Sequence, residues 1–247
     1  MSKVVIEVQE GIGLIRLNNG VTNAISPELV NDLEAALQAV ENECRGMVLA
    51  GGGKFFSMGL DLPTLIPLGR EAFSDFFDRF NRALLRLFTL PMPTCCAIAG
   101  HAPAGGTVLA LGCDHRFAVP EKKLGVNEIR LGVPVPYLSD MILRQIAGDR
   151  AATEMIYGGD FVAASDAARF GLVDAVFPAE TLEAEALEKV AGLAPHSLAA
   201  FRESKENRVE AVRARYEMHG QAKNRAFVDL WFSDPVRPQL EAAAGKF

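Results

Sequence analysis

The chain has 247 residues, 49% of them apolar and 23% charged, which suits one large domain or one domain with a small appendage. Its net charge of −6 argues against nucleic acid as the main partner, because phosphate binding needs basic patches, although a few local Lys or Arg side chains can still hold an anionic substrate. No apolar stretch reaches the roughly 18 residues that span a bilayer, and the four cysteines show neither CxxC nor metal-ligand spacing.

Residues 4–8 and 12–17 alternate or run apolar around Glu10-Gly11 and predict two strands joined by a tight turn. Ser26-Pro27 supplies an N-cap and a proline at the first helical position. Leu29, Leu33, Leu37 and Val40 follow at helical spacing, so 27–42 is expected to be an amphipathic helix. Met47-Val48-Leu49-Ala50 is an unbroken apolar run, as a parallel strand covered on both faces requires. After the turn Gly51-Gly52-Gly53-Lys54, a long helix fills 71–89 with Phe73, Phe76, Phe77 and Phe80 on one core-facing side, and stops before Pro91 and Pro93. Thr94 to Ala99 predicts a second buried strand, which a Gly-rich turn over residues 100–106 joins to a helix at about 105–112. Arg116 to Val119 predicts another strand. Helical patterns then dominate from about 137 onward, broken by a strand at about 172–177.

Strand–helix alternation followed by a helical tail is an α/β arrangement, divided here into a core over 1–194 and a helical C-terminal region over 195–247. Tyr216, Met218, Phe227, Trp231 and Phe232 give that tail a large apolar load, which either covers its own domain or also packs on another subunit. The N-terminus has no signal-peptide shape and Ala244-Gly245-Lys246-Phe247 is no peroxisomal address, so a cytoplasmic protein with reduced thiols is expected.

Two turns carry the chemistry. Each follows a buried strand and leads toward a helix, where backbone N–H groups are left unpaired and negative charge is favoured. Two such turns on neighbouring strands can aim two N–H donors at one oxygen, which is what stabilising an oxyanion requires. Other motifs fail on detail. Gly53-Lys54 precedes Phe55 rather than Ser or Thr, so this is no P-loop, and Phe55 stands where a Gly-x-Ser-x-Gly elbow around Ser57 needs its first glycine. Asp61 reads as an N-cap, Asp114 as structural, and His101 as a loop histidine. His115, His196 and His219 lack ligand spacing, so no metal is predicted.

Three segments, Phe56-Ser57-Met58-Gly59-Leu60-Asp61-Leu62, residues 97–106 ending Pro103-Ala104-Gly105-Gly106, and Gly125-Val126-Asn127-Glu128-Ile129-Arg130-Leu131-Gly132, resemble the signatures of the crotonase (enoyl-CoA hydratase/isomerase) superfamily, in its order and at its usual separations. Residues 166–174 resemble its later helix-and-strand segment, and the likeness runs over about residues 3–180. The resemblance implies a spiral of ββα repeats with a helical C-terminal region used in trimerisation, and hence a homotrimer or hexamer. It implies an acyl-CoA thioester as substrate, with coenzyme A carried by that substrate and no separate cofactor. The N–H groups of Leu60 and Gly105 would form the oxyanion hole and Glu128 would be the catalytic carboxylate, with a pKa raised by partial desolvation beside Val126 and Ile129. Met58, Gly59, Leu65, Gly106, Leu131 and Pro134 are expected around the substrate, with Ile66 beside Leu65. Lys54 and Lys246 are candidates for the CoA phosphate or adenine.

One departure is informative. Hydratases of this family carry a second glutamate in the helix after the Gly-Gly turn, and the matching residue here is Val108. Water addition needs two carboxylates, whereas a 1,3-proton shift needs one. The pattern therefore resembles the single-glutamate Δ3,Δ2-enoyl-CoA isomerases. Hydration, thioester hydrolysis and C–C cleavage stay open as alternatives that need a second polar group, for which Asp140 and His101 are the candidates. A non-catalytic acyl-CoA-binding member is the remaining alternative.

Overall fold

The computed structural model describes residues 2–194 and 197–245. Strands β1 (Val4–Gln9) and β2 (Ile12–Leu17) form an antiparallel hairpin with Val4 opposite Leu17 and Gln9 opposite Ile12. The two turn residues, Glu10 and Gly11, both take positive φ, as a two-residue hairpin of matching twist requires. Helix α1 (Pro27–Glu43) starts where the Ser26 hydroxyl accepts the N–H of Leu29 at 3.2 Å. β3 (Gly46–Ala50), the single turn α2 (Leu62–Leu65), α3 (Arg70–Thr89), β4 (Thr94–Ile98), β5 (Ala102–Pro103), α4 (Gly105–Leu111), β6 (His115–Ala118) and β7 (Lys123–Gly125) follow. A 3-10 turn, Glu128–Leu131, leads to α5 (Tyr137–Gly158), β8 (Val162–Ala163), α6 (Ala164–Ala167), β9 (Ala175–Val176), α7 (Leu182–Leu193), α8 (Leu198–Trp231) and α9 (Arg237–Ala244).

The main sheet has the order β1-β2-β3-β4-β6-β9 and is parallel from β2 onward. Period-2 alternation along its central strands divides the core. Met47, Leu49, Cys96 and Ile98 face α1 and α3, while Val48, Ala50, Cys95 and Ala97 face Leu182, Ala186 and Val190 of α7. Both faces are covered, which is why these strands are unbroken apolar runs. Burial pushes the Cys95 and Cys96 thiols well above their ordinary range.

Two differences from the sequence pattern stand out. A second, three-stranded sheet, β5-β7-β8, arises from strands of two or three residues, too short to show any period. The strand expected over 172–177 shrinks to Ala175–Val176: Asp174 N–H still donates to the Arg116 carbonyl at 2.8 Å, but the Arg116 N–H goes to the Asp174 side chain, whose Oδ2 accepts from it and from Nη2 of Arg116, at 2.8 and 3.0 Å.

The C-terminal helix folds back on its own chain. Phe227 stacks on Phe77 at 4.1 Å and Trp231 on Phe73 at 4.2 Å between ring centroids, while Met218 is 76% exposed. At the other end of α8, the buried Lys205 ammonium donates to the Asp114 carboxylate at 2.9 Å and to the Met92 carbonyl at 3.1 Å.

Candidate active site

The turns after β3 and β4 are laced together. Phe56 N–H donates to the His101 carbonyl at 2.9 Å and His101 N–H to the Lys54 carbonyl at 3.0 Å. Glycine makes this approach possible. A Cβ on Gly106 would lie 2.1 Å from the Ser57 carbonyl oxygen, and one on Gly59, whose φ is +94°, would lie 2.9 Å from the Gly105 nitrogen. A Cβ on Gly105 would in turn sit 3.2 Å from the Leu60 nitrogen. The Leu60 and Gly105 N–H groups are therefore neighbours, and among the described residues neither has a hydrogen-bond acceptor. Ser57 is tied down: its hydroxyl donates to the Asn23 carbonyl at 2.8 Å and accepts from Gly59 N–H at 3.2 Å.

Ala104, just before Gly105, holds φ 49° and ψ −119°, a conformation that suits glycine. It is pinned from both sides: its N–H donates to the Gly125 carbonyl at 2.8 Å and its own carbonyl accepts from Val108 N–H at 3.0 Å.

Glu128 begins the 3-10 turn that closes at Gly132, where φ is +81°. The residue is 8% exposed, and its Oε2 is buried without a hydrogen-bond partner among the described residues. Burial pushes its carboxyl up to about 7, partly offset by its own N–H and that of Asn127. Val126 is buried as expected, but Ile129 is 48% exposed and gives no such cover.

A cavity of about 240 Å³ brings these groups together. The first turn contributes Met58, Leu60 and Leu62, and the second turn with α4 contributes Pro103, Ala104, Gly105 and Val108. Asn127, Glu128, Leu131, Val133 and Pro136 form another side, with Phe161 beside them. Phe80 of α3, Phe227 and Trp231 of α8, and Ala243 of α9 complete the wall, in which Glu128 is the single charged residue among the described residues.

Of the residues singled out from sequence, Met58, Leu60, Gly105, Glu128 and Leu131 line this cavity. Gly59 and Gly106 lie behind the wall, spacing the two turns. Leu65 is fully buried in the core, and it and Ile66 lie outside the wall. Pro134 is exposed, and Val133 and Pro136 on either side of it line the cavity. Lys54 is exposed outside the wall, its ammonium 5.8 Å from the Phe55 ring, and Lys246 falls outside the described residues, as do His196 and Phe247.

Neither candidate for a second polar group lines the cavity. His101 Nδ1 accepts from Lys123 N–H at 3.0 Å, and Asp140 pairs with Arg144 at 3.1 Å. Sequence reasoning missed Phe80, Phe227 and Trp231 as cavity residues. Their helical spacing signalled burial, without saying against what.

The enoyl-CoA hydratase/isomerase family profile matches residues 7–242. The chain belongs to this family. As an enoyl-CoA hydratase/isomerase family member it is an enzyme of the crotonase superfamily, and its fold is the crotonase α/β fold with a helical C-terminal region. A Thermus thermophilus protein named for enoyl-CoA hydratase is 36% identical over 203 residues, covering 78% of this chain and 80% of that protein. Human mitochondrial enoyl-CoA delta isomerase 1 is 30% identical over 196 residues, covering 76% of this chain and 65% of the human protein. The crystal structure of human mitochondrial delta3-delta2-enoyl-CoA isomerase superposes with a TM-score of 0.95 at 27% identity, covering 99% of this chain and 97% of that one. Among the described residues of this family member, no helix is long and apolar enough to cross a membrane, and no three His, Cys, Asp or Glu side chains cluster as metal ligands.

Proposed function

We propose that the enzyme is a Δ3,Δ2-enoyl-CoA isomerase that uses Glu128 as its single acid–base group. The observation that carries this reading is the cavity itself: among the described residues it has one ionisable side chain, two neighbouring unpartnered N–H groups, and the buried, apolar Val108 where a second acid would stand.

In this reading a 3-enoyl-CoA places its thioester oxygen against the N–H groups of Leu60 and Gly105. Ionised Glu128 removes a proton from C2, and the electron pair moves through the thioester to its oxygen. The two N–H donors stabilise the resulting dienolate, each supplying about 3–4 kcal/mol to the transition state. Glu128, now protonated, returns the proton to C4, and the double bond lies between C2 and C3. A carboxyl with a pKa of about 7 suits both half-steps, because neither protonation state is far out of reach near neutral pH. No water enters the balance, and the apolar Val108 stands where a second acid would activate one.

Coenzyme A belongs to the substrate in this scheme, and no separate cofactor takes part. Action in the cytoplasm as a homotrimer or hexamer completes the proposal. The relative named for enoyl-CoA hydratase favours water addition as a second reading, which lacks a second acid among the described residues of the cavity wall. Spectrophotometric assays of 3-hexenoyl-CoA and crotonyl-CoA side by side separate the readings. Isomerisation predicts turnover of the first alone. Hydration of crotonyl-CoA at a comparable rate rejects it, and turnover of neither leaves a non-catalytic acyl-CoA binder.

A further inference from the structure

Thr107, in the first turn of α4, is buried and lies outside the cavity wall. A helical threonine hydroxyl usually turns back to a carbonyl of its own helix. This one reaches across instead. It donates to the Ala102 carbonyl of β5 at 2.5 Å and accepts the Gly125 N–H of β7 at 2.8 Å. The Gly125 carbonyl in turn accepts the N–H of Ala104 at 2.8 Å. Both main-chain groups of Gly125 are therefore held from either side of Gly105-Gly106. The β5–β7 ladder alone is a weak tie: it has two rungs, Ala102 opposite Leu124 and Pro103 opposite Gly125, and proline brings no N–H. Gly125 also has no slack against β8, since a Cβ on it would lie 2.4 Å from the Asp160 carbonyl oxygen. Gly125 opens the segment that carries Glu128, while Gly105 belongs to the turn that Thr107 continues. The Thr107 hydroxyl thus ties the base to one of the two oxyanion donors, which sit on separate segments.

We propose that Thr107 is a positioning residue: its hydroxyl fixes the Glu128 segment against the Gly105 turn, and so sets how far the carboxylate stands from the reacting carbons of a thioester held at the Leu60 and Gly105 N–H groups. It touches no substrate. The inference rests on the isomerase reading above. A base must meet its proton within hydrogen-bond reach, and a displacement of about 1 Å can cost about 10²-fold in rate. A ligand held by the N–H pair and the apolar wall makes no such demand on the place of Glu128. Loss of the hydroxyl therefore strikes kcat and spares binding.

The test compares Thr107→Val, which nearly keeps the shape and loses the hydroxyl, with Thr107→Ser, which keeps the hydroxyl. Turnover of 3-hexenoyl-CoA and calorimetric affinity for hexanoyl-CoA, a saturated thioester that cannot isomerise, are measured on each. Thr107→Val should lower kcat by about 10- to 100-fold while the Kd of hexanoyl-CoA stays within about threefold, and Thr107→Ser should keep kcat within about threefold of wild type. Unchanged kcat in Thr107→Val overturns the inference. So does an equal loss in Thr107→Ser, which assigns the effect to packing, or an affinity that falls in step with kcat. Should Thr107→Val fail to fold, Thr107→Ala carries the same expectations with a side chain that a helix accepts more readily. Failure of both to fold makes the hydroxyl a structural group and overturns its positioning role. A wild-type enzyme that turns over no 3-hexenoyl-CoA overturns the isomerase reading itself, and this inference with it.

Discussion

Glu128→Gln removes the cavity's ionisable group among the described residues while keeping its shape, and it should act on stability and catalysis in opposite directions. The carboxyl rises from an ordinary 4.5 to about 7 because burial penalises its charged form. That rise corresponds to about 3 kcal/mol that the folded state pays to hold the charge. Since the folded state binds the proton more tightly than the unfolded one, the carboxyl costs nothing below about pH 4.5, where both states are protonated. Stability falls as pH rises from 4.5 to about 7, and the full cost is present above that. Glutamine escapes it at every pH.

Urea unfolding of both proteins, at one protein concentration and from about pH 4 to about pH 9, should show the variant's advantage growing from near zero to a plateau of about 3 kcal/mol. The same substitution removes the base, so isomerisation should fall by about 10²- to 10⁴-fold, with ligand affinity largely spared. In the wild-type enzyme, turnover should rise with pH through about 7 as Glu128 ionises. A stability difference that stays constant across the pH range would refute the buried-carboxylate account. Near-normal turnover of the variant would refute the catalytic one.

Gly59→Ala places a Cβ at a φ of +94°, 2.9 Å from the Gly105 nitrogen, so it should lower thermal stability and reduce kcat by about 10²- to 10³-fold as the two N–H groups are driven apart. Ala104→Gly should stabilise the fold by about 1 kcal/mol in chemical unfolding, because glycine accepts φ 49° and ψ −119° without strain. Lys205→Met leaves the Asp114 carboxylate with Arg208 at 3.0 Å as its remaining cation, and should cost about 3 kcal/mol in the same measurement.

Much of the site was legible because its parts are local. A Gly-rich turn after a buried strand announces itself wherever the chain later folds, and Gly59, Gly105 and Gly106 are where backbone-to-backbone approach leaves no room for a Cβ. Glu128 is one residue in a short turn, and no period marks it. Its prominence came from the linked family segments rather than from its own surroundings. Ile129 shows the limit of neighbour reasoning, since adjacent side chains on a 3-10 turn point in different directions and this one meets solvent. The stretch 133–136 shows the same limit: Val133 and Pro136 line the cavity, Pro134 is exposed and Val135 is core, and composition does not set that phase.

From its sequence alone this chain determined its capped first helix, the apolar strands β3 and β4, the two glycine turns and the absence of an acid at position 108. All of these follow from local propensity, burial period or residue identity. Only the tertiary structure decided that Phe227 and Trp231 of α8 would close a cavity opened by turns well over a hundred residues earlier, and that strands as short as β5 and β8 would pair at all. Helical spacing fixes which residues share a face; it does not say what that face will meet. That is settled when α8 stacks its aromatic rings on α3.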